Sequence, residues 1–373
     1  MDLSIISFTE NGIRLSVKLS EKIEEKLQKT GNGNGRYPKA VRLFTKCADY
    51  GEKTGANGRT EQKVSVVPER IGVWAGEQME QKNALLFIGA CGIAVRAIAP
   101  HVTDKLHDSP VLVMDEKGQY VIPILSGHVG GANELALWIA GSTGAEPVIT
   151  TATDVNGAFA VDLFAKKNGL SIVNPDGIAK VSSRVLAGQS LTVSVETGHC
   201  EKDGKLPEGI QMTAYPPAKR VDVVITSENR EFDTALLLKP REYIIGMGCR
   251  RGKEAAKIEA LICRTLEQEG ISVMQAAALA SIDVKRDEPG LLAWSRKEKL
   301  PFLTYTAEEL QGVRGAFQGS DFVKEQVGID NVCERAALKA AGPDGVLVYG
   351  KHAEDGITIA IARKEWKVDF EKA

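Results

Sequence analysis

The sequence predicts a multidomain α/β protein, with α/β N-terminal and central regions and a separate C-terminal α/β domain. Three observations carry this. At 373 residues the chain is longer than one ordinary domain. Short apolar, β-prone runs alternate with glycine turns and helix-like stretches through the first part. Between residues 190 and 238 the pattern changes to short β-prone pieces split by polar, proline-containing loops, and at Tyr243 the strand-turn-helix alternation restarts. The domains are placed at 1–130, 131–239 and 240–373, with the second break near Lys239-Pro240.

In chain order, residues 3–8 read as a strand and 11–27 as a helix. Gly31-Asn32-Gly33-Asn34-Gly35 is a flexible loop or turn, and residues 41–44 suggest another strand. The Gly-, Lys- and Thr-rich segment 51–60 is expected to be exposed. Residues 84–88 form a short apolar strand, and a helix follows Gly89-Ala90-Cys91-Gly92 through Ile98. The strands 111–114 and 120–125 flank Asp115-Glu116-Lys117-Gly118, a hairpin turn. Residues 135–140 continue as a helix, 147–151 as a strand and 159–168 as a helix. Strands follow at 191–195, 221–226 and 234–238. Tyr243 to Gly248 opens the last region, followed by a helix at 253–269, a strand at 302–305, a helix at 332–341 and strands at 346–349 and 357–362. No internal repeat of fixed period is present.

Composition excludes several classes of function. The chain is 43% hydrophobic, and 47 basic residues against 49 acidic ones give a net charge of -2. General nucleic-acid binding would want a basic excess. No apolar run approaches the roughly 20 residues of a membrane span. The start, Met1-Asp2-Leu3-Ser4-Ile5, lacks the basic and apolar regions of a signal peptide. The cysteines (Cys47, Cys91, Cys200, Cys249, Cys263, Cys333) are scattered, which speaks against a disulfide scaffold or structural zinc. A reduced, cytoplasmic protein is expected, with no membrane or nucleic-acid partner.

The most informative run is Ser126-Gly127-His128-Val129-Gly130-Gly131-Ala132-Asn133-Glu134, which reads as strand, glycine loop, helix. Glycines let the backbone approach a ligand and take positive φ. Amides at a helix start point at anions. A histidine inside the loop can move a proton near neutral pH. Acyl or lactone chemistry asks for that combination. A carboxylate-binding loop, or a histidine that only braces the loop, would look the same. Glu134 is a second candidate, although the helix dipole alone favours an acid in the first turn. Thr150-Thr151-Ala152-Thr153-Asp154 follows a strand, so it either lines a cleft at strand ends or caps the next helix.

Gly246-Met247-Gly248-Cys249-Arg250-Arg251-Gly252-Lys253 resembles a dinucleotide loop but has Arg251 where the last glycine belongs. No acid ends the strand expected near Val273-Met274-Gln275 to hold a ribose. Arg250, Arg251 and Lys253 suit fixed carboxylates or phosphates instead. Gly89-Ala90-Cys91-Gly92-Ile93-Ala94-Val95-Arg96 is a second strand-to-helix turn, read equally well as packing. Cys91 and Cys249 each follow a glycine near a helix start, where a thiol pKa can fall, although a small buried cysteine is the plainer reading. His101, His107 and His128 show no metal spacing. His199 and His352 look like surface residues.

Three of these regions together resemble the cobalt-precorrin-5A hydrolase family of anaerobic cobalamin biosynthesis. They are Gly89 to Arg96, Ser126 to Asn133 with its Pro-Ile-Leu lead, and Ile149-Thr150-Thr151-Ala152-Thr153-Asp154. The C-terminal region agrees through Gly246 to Gly252, Asn331-Val332-Cys333-Glu334-Arg335-Ala336-Ala337-Leu338 and Thr358-Ile359-Ala360-Ile361-Ala362. A related C-terminal domain also occurs alone in the aerobic cobalamin route. The resemblance implies a cobalt-containing, ring-contracted tetrapyrrole as substrate, rich in acetate and propionate side chains. It implies opening of a δ-lactone with release of acetaldehyde, giving cobalt-precorrin-5B, and no cofactor beyond the cobalt that the substrate carries. It allows transient contact with neighbouring pathway enzymes. The resemblance itself identifies no base; the loop argument makes His128 the catalytic candidate, with Glu134 beside it. On this reading substrate is bound by Gly89, Gly92, Arg96, Ser126, Gly127, Gly130, Gly131, Asn133, Thr151, Asp154, Gly248, Arg250 and Arg251. A non-catalytic tetrapyrrole carrier of the same pathway is the alternative.

Overall fold

The computed structural model describes residues 1–30, 38–47, 64–104, 107–201, 205–315, 317–319 and 328–372. The loops read at 31–35 and 51–60 lie outside the described residues. The chain forms two compact units, Met1–Ala158 and Phe159–Ala373.

The first unit is a seven-stranded sheet in the order β3-β2-β1-β4-β5-β6-β7. The strands are β1 (Leu3–Ser7), β2 (Val41–Thr45), β3 (Val64–Val66), β4 (Ala84–Ile88), β5 (Val111–Met114), β6 (Tyr120–Leu125) and β7 (Glu146–Pro147). β1 to β5 run parallel, β6 turns back antiparallel to β5, and β7 runs parallel to β6. β1 and β4 are buried along their whole length, as expected of parallel strands covered on both faces. Their alternation divides the core. Leu3, Ile5, Leu86 and Ile88 face the helices Glu10–Thr30 and Ala132–Thr143. Ile6, Leu85 and Phe87 pack against Trp74, Ala94 and Ala97 of the helices Ile71–Glu80 and Cys91–Ile98. In the β5–β6 turn the Asp115 carboxylate accepts the amides of Lys117, Gln119 and Tyr120 at 2.7–3.0 Å.

The break read at residue 130 is corrected. Ala132, Leu135, Ala136 and Ile139 fill the first core, and β7 pairs with β6, so the unit continues to Ala158. The strand expected at 147–151 shrinks to Glu146–Pro147. Val148 makes one further bond to the Val121 carbonyl, at 2.9 Å.

The second unit holds two five-stranded sheets. One has the order β10-β9-β11-β12-β8, from β8 (Leu170–Ile172), β9 (Leu191–Val195), β10 (Ile210–Thr213), β11 (Val221–Ile225) and β12 (Thr234–Pro240). The other has the order β15-β14-β13-β17-β16, from β13 (Tyr243–Cys249), β14 (Ala276–Ile282), β15 (Phe302–Tyr305), β16 (Val346–Glu354) and β17 (Ile357–Arg363). They are tied together at their junction. Ser171 Oγ donates to the Met274 carbonyl at 2.6 Å, and the Asp369 amide donates to Asn168 Oδ1 at 2.8 Å.

Candidate active site

The loop between β6 and the helix Ala132–Thr143 is tied onto itself. Ser126 takes a left-handed backbone, with φ 56°, and its hydroxyl donates to the Asp108 carbonyl at 2.9 Å. The amides of Gly131, Ala132 and Asn133 donate back to the carbonyls of His128, Ser126 and Gly127, each at 3.0 Å. Glycine is required at 130, where a Cβ would lie 2.2 Å from that of Ser126, and at 127, where it would lie 2.8 Å from Asn133 Oδ1. Gly131 caps the helix at φ 88° and ψ 17°. This bears on Gly131, expected to bind substrate. The Gly131 amide already has an acceptor and is not available to an oxyanion, whereas those of Gly130 and Glu134 have none among the described residues.

The fold brings Asp154 to His128. Asp154 lies in the short helix Ala152–Val155 after β7, and its Oδ2 is 2.7 Å from His128 Nε2. Asn133 Nδ2 donates to the same Oδ2 at 2.7 Å and to Thr151 Oγ1 at 3.0 Å. The ring is largely buried, with 14% of its surface exposed, and the Asp154 side chain is 35% exposed. An ionised carboxylate can only accept, so Nε2 carries the proton and the neutral ring's lone pair lies on Nδ1. Thr153 Oγ1, 2.9 Å from Nε2, is a further neighbour of that proton. The sequence reading did not single out Thr153; its spacing next to Asp154 was the available signal.

Other predicted residues lie elsewhere. Glu134 is exposed and pairs with nothing among the described residues; three positions after the Gly131 cap, the helix turns it to solvent. Gly89, Gly92 and Arg96 are at the other edge of the sheet. The Gly89 amide donates to Met114 at the carboxyl end of β5, whereas Ser126 follows Leu125, which pairs with Val111 at the amino end of β5. At about 3.3 Å per residue the two loops are roughly 15 Å apart. The cause is the reversal of β6. Gly89 sits against the Phe8 ring, 3.2 Å from where a Cβ would stand, and Arg96 folds back on the Gly92 carbonyl at 3.2 Å.

Gly248, Arg250 and Arg251 line a cleft of about 610 Å³ in the second unit, together with Cys249, Lys285, Cys333 and Lys351. Its acids are taken. Asp355 pairs with Lys253 and Lys257, and Glu354 with Arg264; behind the cleft wall, buried Glu288 pairs with the lining residue Lys285. The side chains of Arg250 and Arg251 have no acid partner among the described residues. Burial pushes the thiols of Cys249 and Cys333 up to about 11, so neither is a thiolate at neutral pH. The glycines 246 and 248 serve packing, since a Cβ would lie 1.9 Å from the Cys333 carbonyl and 2.6 Å from Thr358 Oγ1 respectively. The Gly252 amide donates to Glu288 Oε1 at 2.7 Å, so a carboxylate already occupies the place of a phosphate. The strand expected near Val273 begins at Ala276 and is followed by Asp283. An acid does therefore end it, and the case against a dinucleotide loop rests on Arg251 and Glu288. His199 is also corrected. It is stacked on Trp366 with centroids 4.0 Å apart rather than lying on the surface.

The family described as cobalamin synthesis G N-terminal matches residues 74–154, and that described as cobalamin synthesis G C-terminus matches residues 243–362. The cobalt-precorrin-5A hydrolase of Salmonella typhimurium is 35% identical over 75% of this chain and 81% of its own length. The chain belongs to the cobalt-precorrin-5A hydrolase family. The enzyme of that name from Priestia megaterium is 33% identical over 84% of this chain and 87% of its own. The protein CobE of a Sinorhizobium species is 31% identical over 32% of this chain and 78% of its own. The chain is thus a hydrolase of cobalamin synthesis. The first matched segment contains the His128–Asp154 pair, and the second contains Arg250 and Arg251. Among the described residues no helix is long and apolar enough to cross a membrane.

Proposed function

We propose that this chain opens the δ-lactone of cobalt-precorrin-5A with water and then releases acetaldehyde, giving cobalt-precorrin-5B. The observation that carries the reading is the His128–Asp154 pair, held by Asn133 on a glycine loop inside a family-matched segment. His128 takes a proton from water as the water oxygen attacks the lactone carbonyl, and Asp154 stabilises the resulting imidazolium. The amides of Gly130 and Glu134 receive the oxyanion. Collapse breaks the ring C–O bond and leaves a carboxylate and a hydroxyethyl group. Loss of the hydroxyl proton then cleaves the C–C bond as in a retro-aldol reaction. Acetaldehyde departs, and the electron pair enters the conjugated macrocycle, which is later protonated. Cobalt arrives with the substrate, and the chain's own residues bind, orient and move protons.

Arg250 and Arg251, lacking acid partners in their cleft, receive carboxylates of the substrate in this reading. That cleft also favours a second reading, a carrier that binds the tetrapyrrole without turning it over. The reaction belongs in the cytoplasm, where the six unbridged thiols stay reduced. The test is anaerobic incubation with cobalt-precorrin-5A, following acetaldehyde through an NADH-consuming alcohol dehydrogenase. Catalytic release abolished in folded His128→Ala supports the hydrolase. Undiminished turnover in that variant removes His128 from the mechanism, and tight binding without acetaldehyde favours the carrier.

A further inference from the structure

At the junction of the two sheets of the second unit lies a cavity of about 230 Å³ that the hydrolase reading does not use. Glu242, between β12 and β13, lines it while only 3% exposed, and its Oε1 has no hydrogen-bond partner. An unpartnered buried carboxyl oxygen costs free energy that a donor in the cavity would offset. The neighbouring Glu196 is already satisfied. Its Oε2 accepts the Ser227 amide at 2.7 Å and the Thr226 hydroxyl at 2.9 Å. His199 is oriented by its ring Nδ1, 2.9 Å from the Trp366 carbonyl.

The charge balance of the wall selects the ligand. Glu196, Glu242, Asp344 and Glu365 line the cavity together with Arg363 and Lys364, an excess of two acids when all are ionised and His199 is neutral. Neither base lies within ion-pair distance of Glu242. A metal ion is the smaller alternative, but no three acid or histidine groups converge on one point among the described residues. We propose that this cavity binds a small organic cation with N–H donors, a primary ammonium whose nitrogen donates to Glu242 Oε1. Glu242 is faced by Arg363 of β17, Lys364 beyond it, Lys239 of β12, and Glu196 and His199 beyond β9. Burial, with a smaller push from Glu196, raises it to about 7 against Arg363, His199 and Lys239, so its charge changes near neutrality.

The test is calorimetric titration of the full chain with propylammonium chloride, using tetramethylammonium chloride at equal ionic strength as the control. Saturable propylammonium binding is expected, about tenfold tighter at pH 8 than at pH 6 as Glu242 ionises. It should be at least tenfold weaker in Glu242→Gln and weaker for tetramethylammonium, which has no N–H. Absence of saturation, equal binding of the two cations, or affinity that does not rise with pH would overturn the proposal. The last two readouts use the unaltered chain and stand even if the variant fails to fold.

Discussion

Asp154→Asn isolates what the carboxylate contributes to the His128 pair. Two hydrogen bonds converge on Asp154 Oδ2, from His128 Nε2 and from Asn133 Nδ2, each at 2.7 Å. In the variant, the amide nitrogen cannot occupy that place without meeting the Asn133 donor head-on. Asn133 therefore holds the amide oxygen toward His128, and the proton stays on Nε2. What is lost is charge. A charge-assisted bond is worth about twice a neutral one, and with Asp154 one third exposed the loss is taken as about 2 kcal/mol. At 1.36 kcal/mol per decade that is roughly 30-fold in kcat, with KM little changed. Adding Asn133→Ala frees the amide to rotate and deepens the loss beyond the product of the single effects. The assay is acetaldehyde release from cobalt-precorrin-5A under anaerobic conditions, with folding checked by thermal unfolding. Activity within threefold of the parent would refute a role for the charge. A fall as deep as that of His128→Ala would refute the claim that Asn133 preserves the tautomer.

Gly130→Ala forces a Cβ to within 2.2 Å of that of Ser126; we expect a loss of about 1–3 kcal/mol, read as a lower urea midpoint, and an unchanged midpoint would contradict the loop packing. If Arg250 and Arg251 receive substrate carboxylates as proposed, the double variant Arg250→Ala/Arg251→Ala should raise KM for cobalt-precorrin-5A tenfold or more with kcat held within a few-fold; unchanged KM removes them from the proposed substrate site. The raised Glu242 makes stability pH-dependent. The folded state holds a proton that the unfolded chain releases near 4.5, so stability falls as pH rises from about 4.5 through about 7, by about 3 kcal/mol in all. Denaturant unfolding at pH 5 and pH 8 should show Glu242→Gln losing less between the two than the parent; equal losses would show that Glu242 is not the group responsible.

Strands with a dense apolar run were legible in the sequence. β4 and β5 stand within the limits read from Ala84 to Ile88 and Val111 to Met114, and the Asp115 turn joins antiparallel strands as its chemistry implies. The edge of the sheet was not legible. β7 is two residues long and ends in Pro147, so no periodicity marked it, and the helix at 132–143 was assigned to the following domain. The His128 loop was visible through its glycines, but its partner was not. Asp154 lies 26 residues away and was read as lining a cleft, while Glu134, six residues away, looked closer than it is. Local spacing on a helix gives the face a residue occupies only after the cap is known, and Gly131 as the cap turns position 134 outward. The glycines of 246–248 misled in the opposite direction. Gly246 answers to the close approach of the helix Cys333–Ala341, and Gly248 to the Thr358 hydroxyl on β17.

The reversal of β6 explains why a single sheet carries two glycine turns with different fates. In open α/β sheets, ligands gather outside the carboxyl ends of strands, because loops there splay apart and helix starts face inward. For β1 to β5 that edge holds Gly89 and Cys91, and there the side chains fill the space: Phe8 covers Gly89 and Arg96 returns to its own helix. β6 and β7 run the other way, so their carboxyl ends meet at the opposite edge. β6 is followed at once by Ser126-Gly127-His128, and β7, after Val148 and Ile149, by Thr150 to Asp154. Two adjacent parallel strands thus deliver a histidine and a carboxylate to one place without a long loop. Asn133, in the first turn of the connecting helix, bonds to the partner that the second strand brings. The acid–base pair is built from the connection between two neighbouring strands, which ties its geometry to the pairing of β7 with β6 rather than to the larger parallel sheet beside it.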